Sequence, residues 1–196
     1  MEQVSSLRTE YKFKKTEVGE IPVEWEISRL ENILSFNYGE GLPEDERIKG
    51  EYPVYGSNGI VGYHNKFLVK GPGIIVGRKG TIGRITWSEQ NFWPIDTTYY
   101  ITTDTDKINL RWLFYNLTNL RLDLLNAVTG IPGLNRQVAL NMKLALPLLL
   151  EQKKIAEILS SVDEAIEKSK EVIEKTKELK KGLMQVLLTG RVRVKI

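Results

Sequence analysis

The sequence predicts an α+β protein in which a globular mixed α/β domain, residues 20–150, is followed by one long α-helix, residues 151–190. The first observation is that residues 151–196 contain no proline and no aromatic residue, and that aliphatic side chains recur there among dense Glu and Lys. The second is that short apolar runs separated by glycines fill the preceding region. The first pattern is typical of an extended amphipathic helix and the second of short strands joined by turns.

The C-terminal helix carries a heptad-like apolar seam. Its members are Ile155, Leu159, Val162, Ile166 and Ile173, and the series continues in shifted phase with Leu179, Leu183 and Val186. A helix of this length with a narrow apolar stripe is not expected to be stable alone. The seam therefore predicts a coiled coil, most simply with the same helix of a second copy and otherwise with helices of another protein.

Within the globular domain, apolar residues at spacings of three and four predict one further helix over residues 110–127. Two stretches with the pattern Gly-x-x-Gly-x-x-Gly, residues 56–62 and 77–83, follow each other at a distance of 21 residues. Glycines in strands permit tight hairpins, bulges and close approach of the backbone to a partner. The two stretches are thus either ordinary turns of a β domain or part of a binding surface.

Much enzyme chemistry is excluded by composition. The chain has no cysteine, and His64 is its only histidine, so neither a thiolate zinc site nor a multi-histidine metal site is possible within one chain. Neither glycine cluster continues as Gly-Lys-Ser/Thr, which disfavours a phosphate-binding loop. We therefore expect no catalytic residue and no metal in this chain, and we interpret His64 as a surface or hydrogen-bonding residue rather than a catalytic one.

The ends of the chain are polar. Residues 1–19 form a charged N-terminal segment without the apolar core of a secretory signal, and residues 191–196 form a basic tail. The most apolar run, residues 144–150, contains Pro147 and is far shorter than the roughly 20 residues that span a bilayer. We expect a cytoplasmic protein that does not enter a membrane.

Charge is segregated along the globular domain although the formal net charge is only +3. Residues 47–84 carry seven Lys and Arg against Glu51 alone, whereas residues 85–106 carry an excess of acidic side chains. Such segregation favours a surface for DNA or another polyanion. The residues that we expect to contact DNA are Ser57, Asn58, Tyr63, His64, Lys66, Arg78, Lys79, Thr81 and Arg84, followed by Asn135 and Arg136.

Several segments, taken in order, closely resemble the specificity subunit of type I restriction-modification systems. They are residues 19–26 (GEIPVEWE) leading to Leu30, 52–59 (YPVYGSNG), 77–83 (GRKGTIG), 96–98 (DTT), 131–136 (IPGLNR), Pro147 with 151–156 (EQKKIA), 182–185 (GLMQ) and 187–190 (LLTG). Each segment alone is a weak signal. Their shared order and spacing are specific, and the resemblance covers nearly the whole chain.

The resemblance implies a target-recognition domain at residues 20–150 and a conserved spacer helix at residues 151–190. Family members usually contain two of each, so this chain resembles a half-length specificity subunit. The family relationship further implies a non-catalytic protein that binds double-stranded DNA and docks methyltransferase subunits, with a restriction subunit as a further partner. S-adenosylmethionine, ATP and magnesium are expected on those partner subunits and no cofactor on this chain.

Two copies that pair their spacer helices, antiparallel by analogy with the family, would carry a recognition domain at each end and read an interrupted palindrome. Two alternatives stay open. One is a coiled-coil adaptor whose β domain binds protein or an anionic polymer without DNA sequence preference. The other is the recognition domain of a nuclease-methyltransferase fusion, whose catalytic motifs this sequence lacks.

Overall fold

The computed structural model describes residues 12–125 and 133–195. The chain divides into two compact units whose boundary lies between Lys153 and Lys154. The first unit consists mainly of short strands, and the second comprises most of one long helix and the residues after it. The predicted α+β class with a long C-terminal helix is confirmed.

The elements are short except for the last helix. The strands are β1 (Phe13–Thr16), β2 (Gly19–Pro22), β3 (Glu26–Arg29), β4 (Ser35–Tyr38), β5 (Tyr52–Gly56), β6 (Gly59–His64), β7 (Gly73–Gly77), β8 (Ile85–Ser88), β9 (Trp93–Pro94), β10 (Thr98–Thr102) and β11 (Lys143–Leu146). The α-helices are α1 (Leu110–Asn119), α2 (Arg136–Leu140) and α3 (Leu149–Leu187), and 3₁₀ turns occur at Leu30–Asn32, Glu44–Glu46 and Leu122–Leu125.

The main sheet has four antiparallel strands in the order β4-β10-β7-β8. All five residues of β7 are buried, because this strand has a neighbour on each side and apolar side chains on both faces. Helix α1 packs against β7 and β8 and buries Trp112, Leu113 and Leu117. These residues form much of the core that holds the loops of the sheet in place.

A second sheet has the order β6-β5-β9, with β5 and β6 joined as an antiparallel hairpin and β9 added parallel to β5. The hairpin register shifts by a bulge between Val54 and Tyr55. Two small antiparallel pairs, β1 with β2 and β3 with β11, complete the unit. Since β1 lies within the predicted N-terminal segment 1–19, the part of that segment from Phe13 onward belongs to a folded hairpin; residues 1–11 lie outside the described residues.

The helix predicted over residues 110–127 is shorter in the structure. Its N-terminus is capped by Asn109, whose side chain accepts a hydrogen bond from the Trp112 N–H at 2.9 Å, and it ends at Asn119. Arg121 then adopts a φ of 53°, which a right-handed helix does not allow, and a 3₁₀ turn follows. The apolar spacing continues through this turn, which is why the sequence pattern extends the helix too far.

Gln152 ties the first turn of α3 to the globular core. The side chain is 1% exposed, and its Oε1 accepts a hydrogen bond from the Asn109 N–H at 2.8 Å. Its Nε2 donates to the carbonyls of Pro147 at 2.9 Å and Lys107 at 3.2 Å. A buried amide with both ends satisfied fixes where the helix begins relative to the N-terminus of α1.

In the second unit, α3 runs without interruption to Leu187. Residues seven positions apart therefore lie nearly in line, so Leu183 continues the line of Val162, and Leu187 continues the line of Leu159 and Ile166. Leu179 and Val186, which the sequence places in the seam in shifted phase, share a neighbouring line with Ile158 and Val172, and their place in a dimer seam stays a prediction. Most of these aliphatic side chains are exposed.

Candidate nucleic-acid interface

The turns that carry the two glycine motifs lie side by side. The β5–β6 turn presents Ser57 and Asn58, and the loop between β7 and β8, residues 78–84, lies against it. The Thr81 N–H donates to the Ser57 hydroxyl at 3.4 Å, and Nη1 of Arg84 donates to Oδ1 of Asn58. The structure thus joins four of the sequence-predicted contact residues in one surface.

Close approach of the backbone explains why glycine is required here. A Cβ on Gly77 would lie 2.0 Å from the Thr81 carbonyl oxygen, which leaves no room for any side chain. Gly80 has a φ of +77° and lies against Ser57, whose Oγ would be 3.1 Å from an added Cβ. The glycine spacing therefore shapes the loop and brings it onto the neighbouring hairpin.

A cleft of about 430 Å³ continues this surface and is lined in part by Tyr38, Arg78 and Arg136. The guanidinium carbon of Arg78 lies 4.8 Å from the centre of the Tyr38 ring and 5.8 Å from that of Tyr99. The Arg136 guanidinium lies 5.8 Å from the same Tyr38 ring. Two cationic groups therefore flank one aromatic side chain.

Hydrogen bonds to the backbone of Leu134 fix the walls of the cleft. The Arg78 carbonyl accepts from the Leu134 N–H at 2.8 Å, and the Tyr99 hydroxyl donates to the Leu134 carbonyl at 3.2 Å. Burial, followed by a hydrogen bond and charge interaction with Tyr38, raises the pKa of Tyr99 above its usual value, while Arg78 opposes this shift. Tyr99 therefore stays neutral and remains a hydrogen-bond donor at physiological pH.

Asn135 serves as the N-cap of α2. Its side-chain oxygen accepts hydrogen bonds from the N–H groups of Gln137 at 2.9 Å and Val138 at 3.2 Å. This cap directs the neighbouring Arg136 toward the cleft, where its Nη1 donates to the Phe36 carbonyl at 3.4 Å. Asn135 and Arg136, both predicted as DNA contacts, thus have different local roles.

Other predicted contacts lie apart from this surface. Tyr63 is exposed but pairs with Pro53, toward the end of the β5–β6 hairpin away from its turn, and Lys66 follows that end. His64 is 5% exposed, its Nδ1 accepts the Ile48 N–H at 3.0 Å, and its ring meets Trp93 edge-on at 5.6 Å. A ring that is buried in this way is not placed to contact a duplex. The prediction that His64 contacts DNA is therefore corrected, and we interpret His64 as a structural hydrogen-bonding residue.

Tyr38 is the residue that sequence reasoning missed. It lies at the end of β4, is 53% exposed, and stands between the two arginines of the cleft. Its pairing with Tyr99 across β4 and β10 brings it there. An exposed aromatic residue just before a glycine was the available signal, but nothing local to it distinguishes it from an ordinary surface tyrosine.

The opposite end of the same two strands is acidic. Ser35 and Thr102, which pair at that end of β4 and β10, border a cavity of about 800 Å³. Its charged lining residues are Glu24, Glu26, Glu31, Asp104, Asp106 and Lys107. One sheet therefore separates a cationic end from an anionic end, and only the cationic end suits a polyanion.

The groups that this surface presents are hydrogen-bond donors and cations. Within residues 12–125 and 133–195, no group of three or more metal-ligating side chains is close enough together to hold an ion. No helix in those residues is long and apolar enough to cross a membrane. The arrangement offers arginine, lysine and hydroxyl donors on a rigid surface, which are groups that contact phosphates and base edges.

Comparison with known proteins gives a consistent result. A family model described as the type I restriction modification DNA specificity domain matches residues 22–177. The chain is 31% identical over 218 aligned residues to the type I restriction enzyme MjaVIII specificity subunit of Methanocaldococcus jannaschii, an alignment that covers 93% of this chain and 50% of that protein. The chain therefore spans about half the length of this curated relative.

Solved structures show the same fold. The type I restriction-modification S subunit from M. genitalium superposes with a TM-score of 0.70 at 18% identity, covering 83% of this chain and 45% of that one. A chain from a structure on complex assembly and conformational transition of the type I R-M system superposes with a TM-score of 0.68 at 16% identity, covering 93% of this chain and 48% of that one.

Proposed function

Because the chain belongs to the family of type I restriction modification DNA specificity domains, we propose that it is the DNA target-recognition component of such a system. In this role each copy reads one half of an interrupted double-stranded DNA site. The chain has no catalytic activity of its own and fixes the position of partner subunits on the duplex.

The observation that carries this proposal is the cluster of cationic and polar side chains on one surface of the first unit. It extends from the Ser57–Asn58 turn over residues 78–84 to the cleft at Arg136. The acidic cavity at the other end of β4 and β10 would repel a duplex, so the charge distribution orients the DNA. An adaptor for anionic polymers would need the charge but not the polar side chains in the turn.

The exposed seam of α3 supports pairing with the same helix of a second copy. Leu159, Val162, Ile166, Ile173 and Leu183 are each 39–52% exposed in the single chain. Burying such a seam against a second helix removes apolar surface from water and offsets the cost of ordering the helix. An antiparallel pair, as in the family arrangement, has two-fold symmetry and reads a palindrome.

The neighbouring line of aliphatic residues supports a second helical partner. Ile158, Val172 and Leu179 are 55–63% exposed and lie beside the seam. A third apolar position per heptad is typical of helices that contact two neighbours in a bundle. We assign this face, with the Glu and Lys at its border, to the docking of methyltransferase subunits, which supply the S-adenosylmethionine chemistry; a restriction subunit would bring ATP and magnesium.

Selection from a random duplex library tests the function. The chain, purified with its methyltransferase subunit, is expected to enrich a defined sequence at near-physiological salt, and the methyltransferase subunit alone serves as the control. Enrichment that requires this chain supports the proposal. Binding without any enriched sequence contradicts it and favours the adaptor, and methyl transfer by the isolated chain contradicts its non-catalytic role.

A further inference from the structure

We propose that the cleft formed by Tyr38, Arg78 and Arg136 binds one phosphate of the DNA backbone and anchors the duplex without reading its sequence. This inference rests on the proposed DNA-binding function and names the ligand class of one part of that surface. It also assigns Tyr38 a positioning role that the sequence did not indicate.

The first argument is charge. Among the described residues that line the cleft, Arg78, Lys79 and Arg136 are cationic and none is acidic. The guanidinium groups of Arg78 and Arg136 both lie against the Tyr38 ring, which concentrates positive charge at the cleft. A phosphodiester brings one negative charge and two free oxygens, which match the donor fork of a guanidinium group.

The second argument is rigidity. The Arg78 N–H donates to the Thr97 carbonyl at 2.9 Å, its carbonyl accepts from Leu134, and its Nη1 donates to the Asp96 carbonyl at 2.9 Å. Stacking on Tyr38 limits the remaining rotation of the guanidinium. An arginine held in this way loses little conformational freedom on binding, and its remaining donors point from a fixed position, as an anchor requires.

The third argument concerns base reading. Bidentate recognition of adenine needs both the oxygen and the nitrogen of an asparagine or glutamine amide. The Asn135 oxygen is occupied by the N–H groups of Gln137 and Val138 in the cap of α2. The asparagine that borders the cleft is thus committed to the helix, and Gln137 is the amide in the lining that could still read an adenine.

Substitution of Arg136 tests the proposal, because its side chain is exposed and, among the described residues, makes a single long hydrogen bond, to the Phe36 carbonyl. The full chain with its methyltransferase subunit is titrated with the duplex enriched in the selection and with a scrambled duplex, over a series of salt concentrations. Arg136→Ala should weaken binding to both duplexes by the same factor, about 10-fold. The slope of the logarithm of the binding constant against the logarithm of the salt concentration should become less steep by about one released counterion. Arg136→Lys should restore the wild-type slope.

Arg29→Ala is the matched control, since it removes one arginine that pairs with Glu31 outside the cleft. Arg78→Lys provides a second variant. It keeps the positive charge but removes the planar guanidinium group that stacks on Tyr38, so it should weaken binding to both duplexes equally. Loss confined to the enriched duplex would overturn the proposal in favour of base reading, for which Gln137 is available. An unchanged affinity and salt dependence for Arg136→Ala would place the DNA elsewhere.

Failure of the proposed function gives a different result. In that case the wild-type chain shows no enriched sequence, whereas failure of the phosphate site leaves the wild-type preference intact and changes only the response of the variants.

Discussion

Single polar residues determine how the elements of the first unit meet. Gln152 is buried with its amide satisfied by Asn109, Pro147 and Lys107. Beside it, Trp25 donates its Nε1 hydrogen to Glu151 at 2.9 Å. Trp25 and Glu151 come from two of the segments that carry the family resemblance, so part of that resemblance reflects how the start of α3 is attached to the globular core.

Gln152→Ala tests this attachment. The substitution leaves the Asn109 N–H and two carbonyls without their partner in a buried site, so the free energy of unfolding should fall by about 1–3 kcal/mol. Urea denaturation followed by circular dichroism measures the change. Gln185→Ala, on the exposed part of the same helix, should change stability by less than about 0.5 kcal/mol; equal effects of the two variants would show that the Gln152 network does not contribute.

Residue chemistry could be predicted from the sequence, whereas burial could not. The sequence indicated Arg78, Arg84 and Arg136 as surface cations, and the structure brings them to one face. It also proposed His64 as a contact, although the ring is buried beside Trp93. Tyr38 reaches the cleft only through the pairing of β4 with β10, a long-range contact that no local pattern encodes.

At the scale of elements, the loop at residues 78–84 depends on its glycines. Gly80→Ala places a side chain at a positive φ and against Ser57, so it should lower the free energy of unfolding by about 1 kcal/mol and move the loop away from the β5–β6 turn. We expect weaker DNA binding as a result. Fluorescence anisotropy with the enriched duplex measures the affinity.

Gly19→Ala is the control for this substitution. Gly19 also has a positive φ, of +112°, but nothing lies within 4 Å of an added Cβ. Both variants should therefore lose similar stability, while only Gly80→Ala loses DNA affinity. Equal affinities for the two variants would show that the loop does not form part of the DNA surface.

The long helix was the element that the sequence predicted best, because thirty-nine residues without proline or an aromatic side chain leave few alternatives. The shorter α1 was extended too far, since the same apolar spacing continues into a 3₁₀ turn. Periodicity identifies which face of a helix is apolar, but a single residue such as Arg121 can end the helix without disturbing that pattern.

The seam of α3 gives a prediction about association. Leu159→Asp together with Ile166→Asp places two carboxylates in the apolar line, so the chain should become monomeric because the charges would be buried on pairing. Light scattering measures the mass in solution. Ser161→Asp with Gln185→Asp adds the same charge at outer positions and should leave the dimer intact; a dimer that persists in the seam variant would locate the interface elsewhere.

At the scale of the whole molecule, two features support a half-site reader. The first unit has a cationic and an acidic end, which restricts how it can face a duplex. The second unit leaves its apolar lines exposed, which favours pairing with other helices. The chain spans about half the length of its curated relative. Under the proposed function, two copies would supply the two recognition domains that the family resemblance implies.

A helix of 39 residues is about 58 Å long at 1.5 Å per residue, which exceeds one turn of DNA at roughly 34 Å. Pairing through such a helix is therefore compatible with half-sites separated by unread base pairs. This length explains why the expected target is interrupted rather than continuous.

Hydroxyl-radical footprinting of the complex on its enriched duplex tests the central claim most directly. We expect two protected patches, related by two-fold symmetry and centred about one helical turn apart, each covering one half of an interrupted palindrome. The double variant Leu159→Asp, Ile166→Asp should reduce this to one patch. A single asymmetric patch with the wild-type chain would contradict the claim that two copies read the site together.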